Sequence, residues 1–167
     1  MNLTLIGMPG VGKSFIGERL AECLKWKFID IDRLIEEKYG KILQAIITEY
    51  GEAKFSKIEG EFISKINIDG SENRIISPGG SIIYNRKAMD FLKENSTVIY
   101  LEDNLNNILN RISNLPQRGI LGLKEKGFIQ LYKERTPVYV KWADFTISVT
   151  DKNLENVIKN LVNIIRK

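Results

Sequence analysis

An eight-residue segment near the amino end has the residue types and spacing needed to bind the phosphate groups of a nucleotide. The segment reads Gly7-Met8-Pro9-Gly10-Val11-Gly12-Lys13-Ser14. Its glycines allow successive backbone N–H groups to point at phosphate oxygens, and a helix that follows adds its positive N-terminal end. Lys13 can reach the β and γ oxygens, and Ser14 offers a hydroxyl to a bridging Mg²⁺. The pattern predicts a site for a nucleoside triphosphate.

Two other structures can contain a glycine-rich segment of this kind. A strand-to-helix turn without a ligand does not need Lys-Ser at its end. A loop that binds a dinucleotide has its glycines in the order Gly-x-Gly-x-x-Gly, whereas here they follow Gly-x-x-Gly-x-Gly-Lys. The order of the glycines therefore favours a mononucleotide.

Two carboxylates follow the second apolar run of the sequence, in Phe28-Ile29-Asp30-Ile31-Asp32. Open α/β sheets bind ligands at the carboxyl ends of their strands, and a spacing of two predicts that both carboxylates share one face. One could hold a magnesium water, and the other could orient an attacking hydroxyl. Because the chain has no histidine, Asp32 is the candidate base. Asp32 could also cap a helix that begins at Arg33.

A pair of glycines follows the third apolar run, in Ser77-Pro78-Gly79-Gly80-Ser81. Glycines at a strand end allow a ligand or a phosphate to approach the backbone closely. An ordinary turn has the same composition. The pair therefore indicates a ligand contact only together with the other motifs.

The elements that must position these residues are indicated by five short apolar runs separated by helix-length segments. The runs are Leu3–Ile6, Lys27–Ile31, Arg74–Ile76, Thr97–Leu101 and Phe145–Val149. They do not alternate in polarity, which is typical of strands buried on both faces of a parallel sheet with crossover helices on its two sides. The sequence predicts an α/β fold of three layers with a five-stranded parallel sheet, in a single domain over 1–167.

The helices are predicted from apolar periodicity and glycine stops. The first should start in the glycine-rich loop and bury one stripe, formed by Phe15, Leu20, Ala21 and Leu24. Gly40 should end the next helix, and Gly51 should divide the following apolar pattern into two helices. These helices form a substrate-binding insert at about 33–66. Residues 114–126 have little periodicity, two glycines and one proline, and predict a mobile surface segment.

Composition limits the classes of function. The chain has 167 residues, 43% of them apolar, which is enough for one continuous core. Its net charge of +4 suits an anionic ligand but is not a nucleic-acid signature. The single cysteine, Cys23, excludes an intrachain disulfide, and neither a signal peptide nor an apolar run of roughly 18 residues is found. We expect a cytoplasmic monomer that binds neither nucleic acid nor membrane.

Taken together, the motifs resemble the shikimate kinase family. The resemblance lies in the phosphate loop, Asp30-x-Asp32, Gly51-Glu52 followed by Phe55 and Glu59, Gly79-Gly80, and Glu134-Arg135-x-Pro137-x-Tyr139 with Ala143-Asp144. Their order and spacing match the family over nearly the whole chain. The resemblance implies a P-loop kinase that uses ATP and Mg²⁺ to phosphorylate the 3-hydroxyl of shikimate.

The resemblance also implies which residues contact ATP. They are Gly7, Met8, Pro9, Gly10, Val11, Gly12, Lys13, Ser14, Phe15, Arg111 and Arg118. Lys13 and Arg118 would act on the transferring phosphate, and Ser14 and Asp30 would hold Mg²⁺. Arg111 stands where the family has an arginine against adenine, although a helix-surface arginine can equally be a solvated residue.

For the acceptor, the resemblance implies that Asp32 binds the substrate hydroxyl and acts as the base. Gly79 and Gly80 would contact the substrate ring. Arg135 would bind the carboxylate, which a guanidinium suits because it can fork onto two oxygens. Residues 114–126 would form a closing lid that carries Arg118 to the phosphate.

Three positions depart from the family pattern, and all lie on the acceptor or lid side. Ser56 replaces an arginine that pairs with the shikimate carboxylate, Ser81 replaces the third glycine of a triple, and the lid reads Arg118-Gly119-Ile120-Leu121. Loss of one charge-assisted bond of roughly 1.5 to 3 kcal/mol weakens binding by about one to two decades. Arg33 or Lys54 could compensate.

Other functions remain open from the sequence. The chain could be a related kinase acting on another small hydroxy acid or amino alcohol, or a nucleotide-binding regulatory module without catalysis. A nucleoside monophosphate kinase would require several arginines in the insert between Leu43 and Ile66, and none occurs there.

Overall fold

A parallel sheet forms the centre of the protein in a computed structural model, which describes residues 1–67, 72–112, 119–150 and 153–165. The five strands lie in the order β2-β3-β1-β4-β5, and all neighbours are parallel. Their bounds are β1 Asn2–Ile6, β2 Lys27–Asp30, β3 Arg74–Ser77, β4 Thr97–Glu102 and β5 Phe145–Ser148. The predicted α/β fold with five parallel strands is confirmed, and each strand bound agrees with the sequence within one residue.

Helices cover both faces of this sheet. They are α1 Lys13–Leu24, α2 Ile31–Tyr39, α3 Leu43–Tyr50, α4 Glu52–Ser64, α5 Arg86–Asn95, α6 Leu105–Arg111, α7 Leu123–Trp142 and α8 Leu154–Ile165, with a 3₁₀ turn at Ile82–Tyr84. None of the helices in the described part of the chain is long and apolar enough to cross a membrane. Gly40 and Gly51 end α2 and α3 as predicted, both with positive φ.

The strands are apolar on both sides because each side has its own core. On β4, Val98 and Tyr100 pack with the buried residues of α2 to α7. Ile99 and Leu101 point to the opposite face and pack with α1 and α8. Successive side chains of a strand point to opposite faces, so a strand buried on both sides is mostly apolar along its length. This explains the continuous apolar runs of the sequence.

The predicted apolar stripe of α1 is wrong at Phe15. Ile16, Leu20 and Ala21 are buried, whereas Phe15 is 55% exposed. Ile16 and Leu20 are four residues apart and share a face, and Phe15 is rotated by about 100° from Ile16. Burying Ile16 therefore turns Phe15 away from the sheet.

The prediction for the two aspartates is also corrected. β2 ends at Asp30, and Ile31 is already the first residue of α2. The backbone therefore changes from strand to helix between the two carboxylates, and strand alternation does not relate them. It is Asp30, not Asp32, that caps α2, because its Oδ1 accepts the Arg33 N–H at 3.3 Å.

Substitutions in α1 should separate its buried face from its exposed face. Leu20→Ala is expected to lower the free energy of unfolding by about 2 to 5 kcal/mol, because Leu20 is fully buried. Phe15→Ala should change it by less than about 1 kcal/mol, since that ring packs little. Urea unfolding followed by circular dichroism measures both, and equal losses would contradict the orientation of α1.

Candidate active site

The segment between β1 and α1 forms a loop whose backbone only glycine can adopt at two positions. Gly10 has φ 84° and Gly12 has φ 106°, in the left-handed region that side chains disfavour. A Cβ on Gly10 would also lie 2.4 Å from the Ile112 side chain. Because Gly12 precedes the first residue of α1, the loop leads directly into a helix N-terminus. Backbone N–H groups and the helix dipole then favour an anion at this point.

Lys13 folds back over this loop. Its Nζ donates to the carbonyls of Gly7 at 3.0 Å and Met8 at 3.4 Å. Burial lowers the pKa of Lys13, while the nearby carboxylates of Asp32 and Asp30 raise it and only partly offset that effect. The ammonium group is therefore partly buried beside the loop.

Ser14 and Asp30 place two oxygen groups together at the start of α1. The Ser14 hydroxyl donates to Asp30 Oδ2 at 2.6 Å. The other oxygen of Asp30 caps α2, so both oxygens of the carboxylate are held by hydrogen bonds. Hydroxyl and carboxylate oxygens are ligands that Mg²⁺ prefers, usually with phosphate and water completing the shell. The two predicted metal ligands are thus adjacent, as a magnesium site requires.

Lys13 and Asp32 lie where two cavities meet. The loop cavity, of about 510 Å³, is lined by Gly10, Gly12, Ser14 and Arg111 together with Pro9, Lys13 and Asp32. The inner cavity, of about 50 Å³, is lined by Phe55, Gly79, Gly80, Leu121 and Arg135 together with the same Pro9, Lys13 and Asp32. A group bound in one cavity can therefore meet a group bound in the other beside Lys13 and Asp32.

Asp32 and Glu59 are both harder to ionise than ordinary carboxyls. Burial raises the pKa of Asp32 to about 6, although the charge of Lys13 lowers it. Burial and the charge of Asp32 raise the pKa of Glu59 to about 8, against the hydrogen bond that Gly79 N–H donates to it. At neutral pH, Asp32 is therefore mainly ionised and Glu59 is mainly protonated.

Gly79 and Gly80 approach other groups too closely for any side chain. A Cβ on Gly79 would lie 2.6 Å from Glu59 Oε1 and 3.0 Å from Asp32 Oδ1. A Cβ on Gly80 would lie 2.8 Å from Cδ of Pro9. The glycine pair therefore packs the loop after β3 against the phosphate loop and against α4. It also lines the inner cavity.

Arg135 is the buried cation of the inner cavity. Its side chain lies in α7 and is 1% exposed, and its Nη2 donates to the Leu121 carbonyl at 2.7 Å. Its Nε has no hydrogen-bond partner among the described residues. A buried donor without a partner is costly, and an anionic ligand in the cavity would satisfy it.

Residues 119–122 cover the inner cavity. Gly119, Ile120 and Leu121 line it, and Gly122 N–H donates to Glu52 Oε1 at 2.8 Å. Residues 113–118 lie outside the described part of the chain, and so does the predicted catalytic Arg118. The predicted mobile segment, 114–126, is wrong at its C-terminal end, because residues 123–126 already belong to α7.

Arg111 is held by a buried carboxylate at the end of β4. Its Nη1 donates to Asp103 Oδ2 at 2.5 Å. Burial alone would raise the pKa of Asp103, but hydrogen bonds, chiefly from Thr150, Asn107 and Arg111, hold it below its ordinary value. Arg111 is therefore an ion-paired residue on the wall of the loop cavity, rather than a freely solvated one.

Comparison with known proteins agrees with this arrangement. The model of the shikimate kinase family matches residues 9–166. The chain belongs to the shikimate kinase family. Shikimate kinases of Sulfurihydrogenibium sp. (strain YO3AOP1) and Persephonella marina are both 34% identical, over 99% of this chain and 98% and 99% of theirs. The structure of the Acinetobacter baumannii shikimate kinase in complex with shikimate is similar with a TM-score of 0.87 and 28% identity, covering 98% of this chain and 92% of that one.

The family resemblance led us to expect an arginine at position 56, and no described residue of the inner cavity replaces it. Of the described residues that line it, Lys13 and Arg135 are those with a positive charge. Arg33 pairs with Glu18, and Lys54 lies 4.4 Å from the centre of the Tyr50 ring. The two cations expected to compensate are therefore engaged elsewhere.

Sequence reasoning assigned no role to Glu59 or Asp103, although both are central to the site. Glu59 stands four residues after the buried Phe55, so it lies on the buried face of α4. Asp103 directly follows β4 at the ligand-binding edge of the sheet. For Glu59, the signal was a carboxylate at a position that the helical pattern buries. For Asp103, it was a carboxylate at the carboxyl end of a strand, where ligands bind.

Glu59→Gln is expected to change how stability depends on pH. The pKa of Glu59 in the folded protein, about 8, is above its ordinary value of 4.5, so the folded state binds this proton more tightly than the unfolded chain. The contribution of this group to the free energy of unfolding is fully present below about pH 4.5 and is lost as the pH rises through 8. The loss is on the order of 2 to 4 kcal/mol. The amide of Glu59→Gln can still accept the Gly79 N–H, and this variant should lack the loss.

Urea unfolding at pH 5 and pH 9 measures the effect. Glu61→Gln, at an exposed position of the same helix, is the matched control and should retain the pH dependence of the unmodified protein. An unchanged pH dependence in Glu59→Gln would show that Glu59 is ionised over this range.

Proposed function

We propose that the protein transfers the γ-phosphate of ATP to the 3-hydroxyl of shikimate. The observation that carries this proposal is the position of Lys13 and Asp32, which line both the loop cavity and the inner cavity. A triphosphate in the first and an alcohol in the second would meet beside one ammonium and one carboxylate. Phosphoryl transfer depends mainly on such positioning and on charge neutralisation.

On the donor side, the backbone N–H groups of the loop would bind the phosphates. Lys13 would exchange its bonds to the Gly7 and Met8 carbonyls for bonds to phosphate oxygens. Ser14 and Asp30, already 2.6 Å apart, would hold Mg²⁺, which when bound neutralises phosphate charge. Arg118 is proposed to reach the transferring phosphate, as in the family pattern.

On the acceptor side, Asp32 would accept the proton of the attacking hydroxyl. Its pKa of about 6 leaves it ionised at neutral pH but more basic than an ordinary aspartate, which suits a general base. Arg135 would bind the acceptor carboxylate, because it is a buried guanidinium with an unpartnered Nε. Gly79 and Gly80 line the same cavity and would lie against the substrate ring.

A related kinase that phosphorylates another small hydroxy acid is the second candidate. Ser56 favours it, since Lys13 and Arg135 are then the cations among the described residues that line the inner cavity. A regulatory module without catalysis is less well supported, because Lys13, Asp32 and Arg135 all line one cavity. The expectations of a monomer, a single domain and a cytoplasmic location remain predictions.

The acceptor is tested by a coupled assay of ADP release with shikimate, quinate, homoserine and gluconate. We expect the highest kcat/KM with shikimate.

Lys13→Ala should lower kcat by orders of magnitude, because it removes the charge at the β and γ oxygens. Asp32→Asn should lower kcat with little change in the binding of ATP. The urea midpoint of each variant checks that folding is retained.

Two outcomes of this assay would contradict the proposal. Higher turnover of another panel member, with none of shikimate at millimolar concentration, would establish the second candidate. ATP binding by calorimetry without turnover of any acceptor would establish the regulatory module.

Ser56→Arg is expected to strengthen shikimate binding. Position 56 precedes Glu59 by three residues in α4, so an arginine there can contact that carboxyl and reach the cavity beside it. A restored charge-assisted bond should lower the KM for shikimate by about 10- to 100-fold. Ser64→Arg makes the same change at an exposed position of the same helix and should have no effect. An unchanged KM in Ser56→Arg would mean that the carboxylate binds elsewhere.

A further inference from the structure

Tyr84 is an exposed aromatic residue beside the buried Arg135. It is the last residue of the 3₁₀ turn at Ile82–Tyr84, and it is 55% exposed. The central carbon of the Arg135 guanidinium lies 5.9 Å from the centre of the Tyr84 ring, within the range of a cation–π contact. Arg135 lines the inner cavity, whereas Tyr84 does not belong to its wall. The ring therefore contacts the guanidinium from outside the cavity.

The backbone on both sides of Tyr84 is held by hydrogen bonds. Trp142 of α7 donates its Nε1–H to the Ile83 carbonyl at 3.1 Å. On the other side, Asn85 Nδ2 donates to the Ser56 carbonyl of α4 at 2.9 Å, while Asn85 Oδ1 caps α5. The turn is thus bonded to α4 and α7, two helices that contribute residues to the inner cavity. The position of the Tyr84 ring is therefore set by the backbone, although solvent reaches the ring.

Arg135 is not paired with a carboxylate in the described part of the chain. None of the ion pairs between described residues involves it, and the nearby Glu59 is mainly protonated at neutral pH. A buried cation without a counter-charge is stabilised by the electron-rich face of an aromatic ring. Such a contact uses the flat face of the guanidinium and leaves the N–H groups at its edge free for an anion. The Tyr84 ring can therefore hold Arg135 without competing with a ligand.

We propose that Tyr84 is a positioning residue, whose ring holds the Arg135 guanidinium at the wall of the inner cavity and so strengthens the binding of an acceptor carboxylate. This inference rests on the proposed function in that Arg135 binds the carboxylate of the acceptor. It assigns part of the acceptor affinity to a residue that lines neither the loop cavity nor the inner cavity. Without the ring, the guanidinium must be ordered when the acceptor binds, which costs affinity.

Tyr84→Leu tests this role through the kinetics of the acceptor. The KM for shikimate is expected to rise by about 3- to 30-fold, because the contact that orders the guanidinium is lost. The kcat and the KM for ATP should be unchanged, since neither depends on how tightly the carboxylate is bound. Tyr84→Phe keeps the aromatic face and should have the KM of the unmodified protein. The coupled assay of ADP release measures all three constants.

An analogue of shikimate with its carboxylate reduced to a hydroxymethyl group separates recognition of the carboxylate from a structural effect. This analogue keeps the ring and its hydroxyls but has no negative charge for Arg135. Tyr84→Leu should therefore leave the KM of the analogue unchanged. Phe145→Leu, which removes an exposed ring on β5, is the matched control and should change neither KM. The urea midpoint of each variant checks that folding is retained.

Two results would overturn the inference. The KM for shikimate could be the same in Tyr84→Leu as in the unmodified protein. Alternatively, Tyr84→Leu could raise the KM of shikimate and of the reduced analogue equally, which would show that the ring supports the fold rather than recognition of the carboxylate.

Failure of the proposed function is distinct from these results, because it is seen in the unmodified protein. If another acid of the panel is turned over instead of shikimate, the same variants are compared with that acid and its reduced form, since each panel member has a carboxylate. If no acid is turned over, the Kd of shikimate from calorimetry replaces KM, and the same rise in Tyr84→Leu is expected. Absence of shikimate binding by the unmodified protein in that case would overturn this inference as well.

Discussion

The structure of the site depends on burying four ionisable groups together. Lys13, Asp32 and Glu59 influence one another's ionisation, and the buried Arg135 lies beside them. Burial lowers the pKa of Lys13 and raises those of the two acids, because each charge loses hydration. Because Glu59 is protonated at neutral pH, its carboxyl does not form an ion pair with Arg135. The cluster is thereby prepared for the negative charge of phosphates and of a carboxylate.

The same groups are tied to the backbone by close packing between loops. Tyr139 of α7 donates its hydroxyl to the Gly80 carbonyl at 2.6 Å, and Gly80 packs on Pro9 of the phosphate loop. Gly79 donates to Glu59 of α4 at 2.9 Å. The phosphate loop, the loop after β3 and helices α4 and α7 therefore form one packed unit. This packing sets the distance between the loop cavity and the inner cavity, and it does not depend on contact between their ligands.

The features that could be predicted from sequence are those that depend on local patterns. Strand ends, the phosphate loop and the stops at Gly40 and Gly51 follow from apolar runs and glycine positions, and the structure agrees with them. The orientation of Phe15 could not be predicted without knowing which residue of α1 faces the sheet. The helix cap formed by Asp30 depends on the residue at which β2 ends, and the hydrogen bonds of Lys13 depend on where the loop carbonyls lie. Those are properties of tertiary packing, which a single run of residues does not contain.

Ser56 and Glu59 are best understood as a pair. Glu59 is buried with serine at position 56, and the Gly79 hydrogen bond and the charges of Lys13 and Arg135 lower its pKa by less than burial and the charge of Asp32 raise it. The protonated carboxyl that results can donate a hydrogen bond, as an ionised one cannot. An arginine at position 56, three residues before Glu59 in α4, would add a positive charge that opposes this protonation, so the serine at that position and the neutral carboxyl are physically linked.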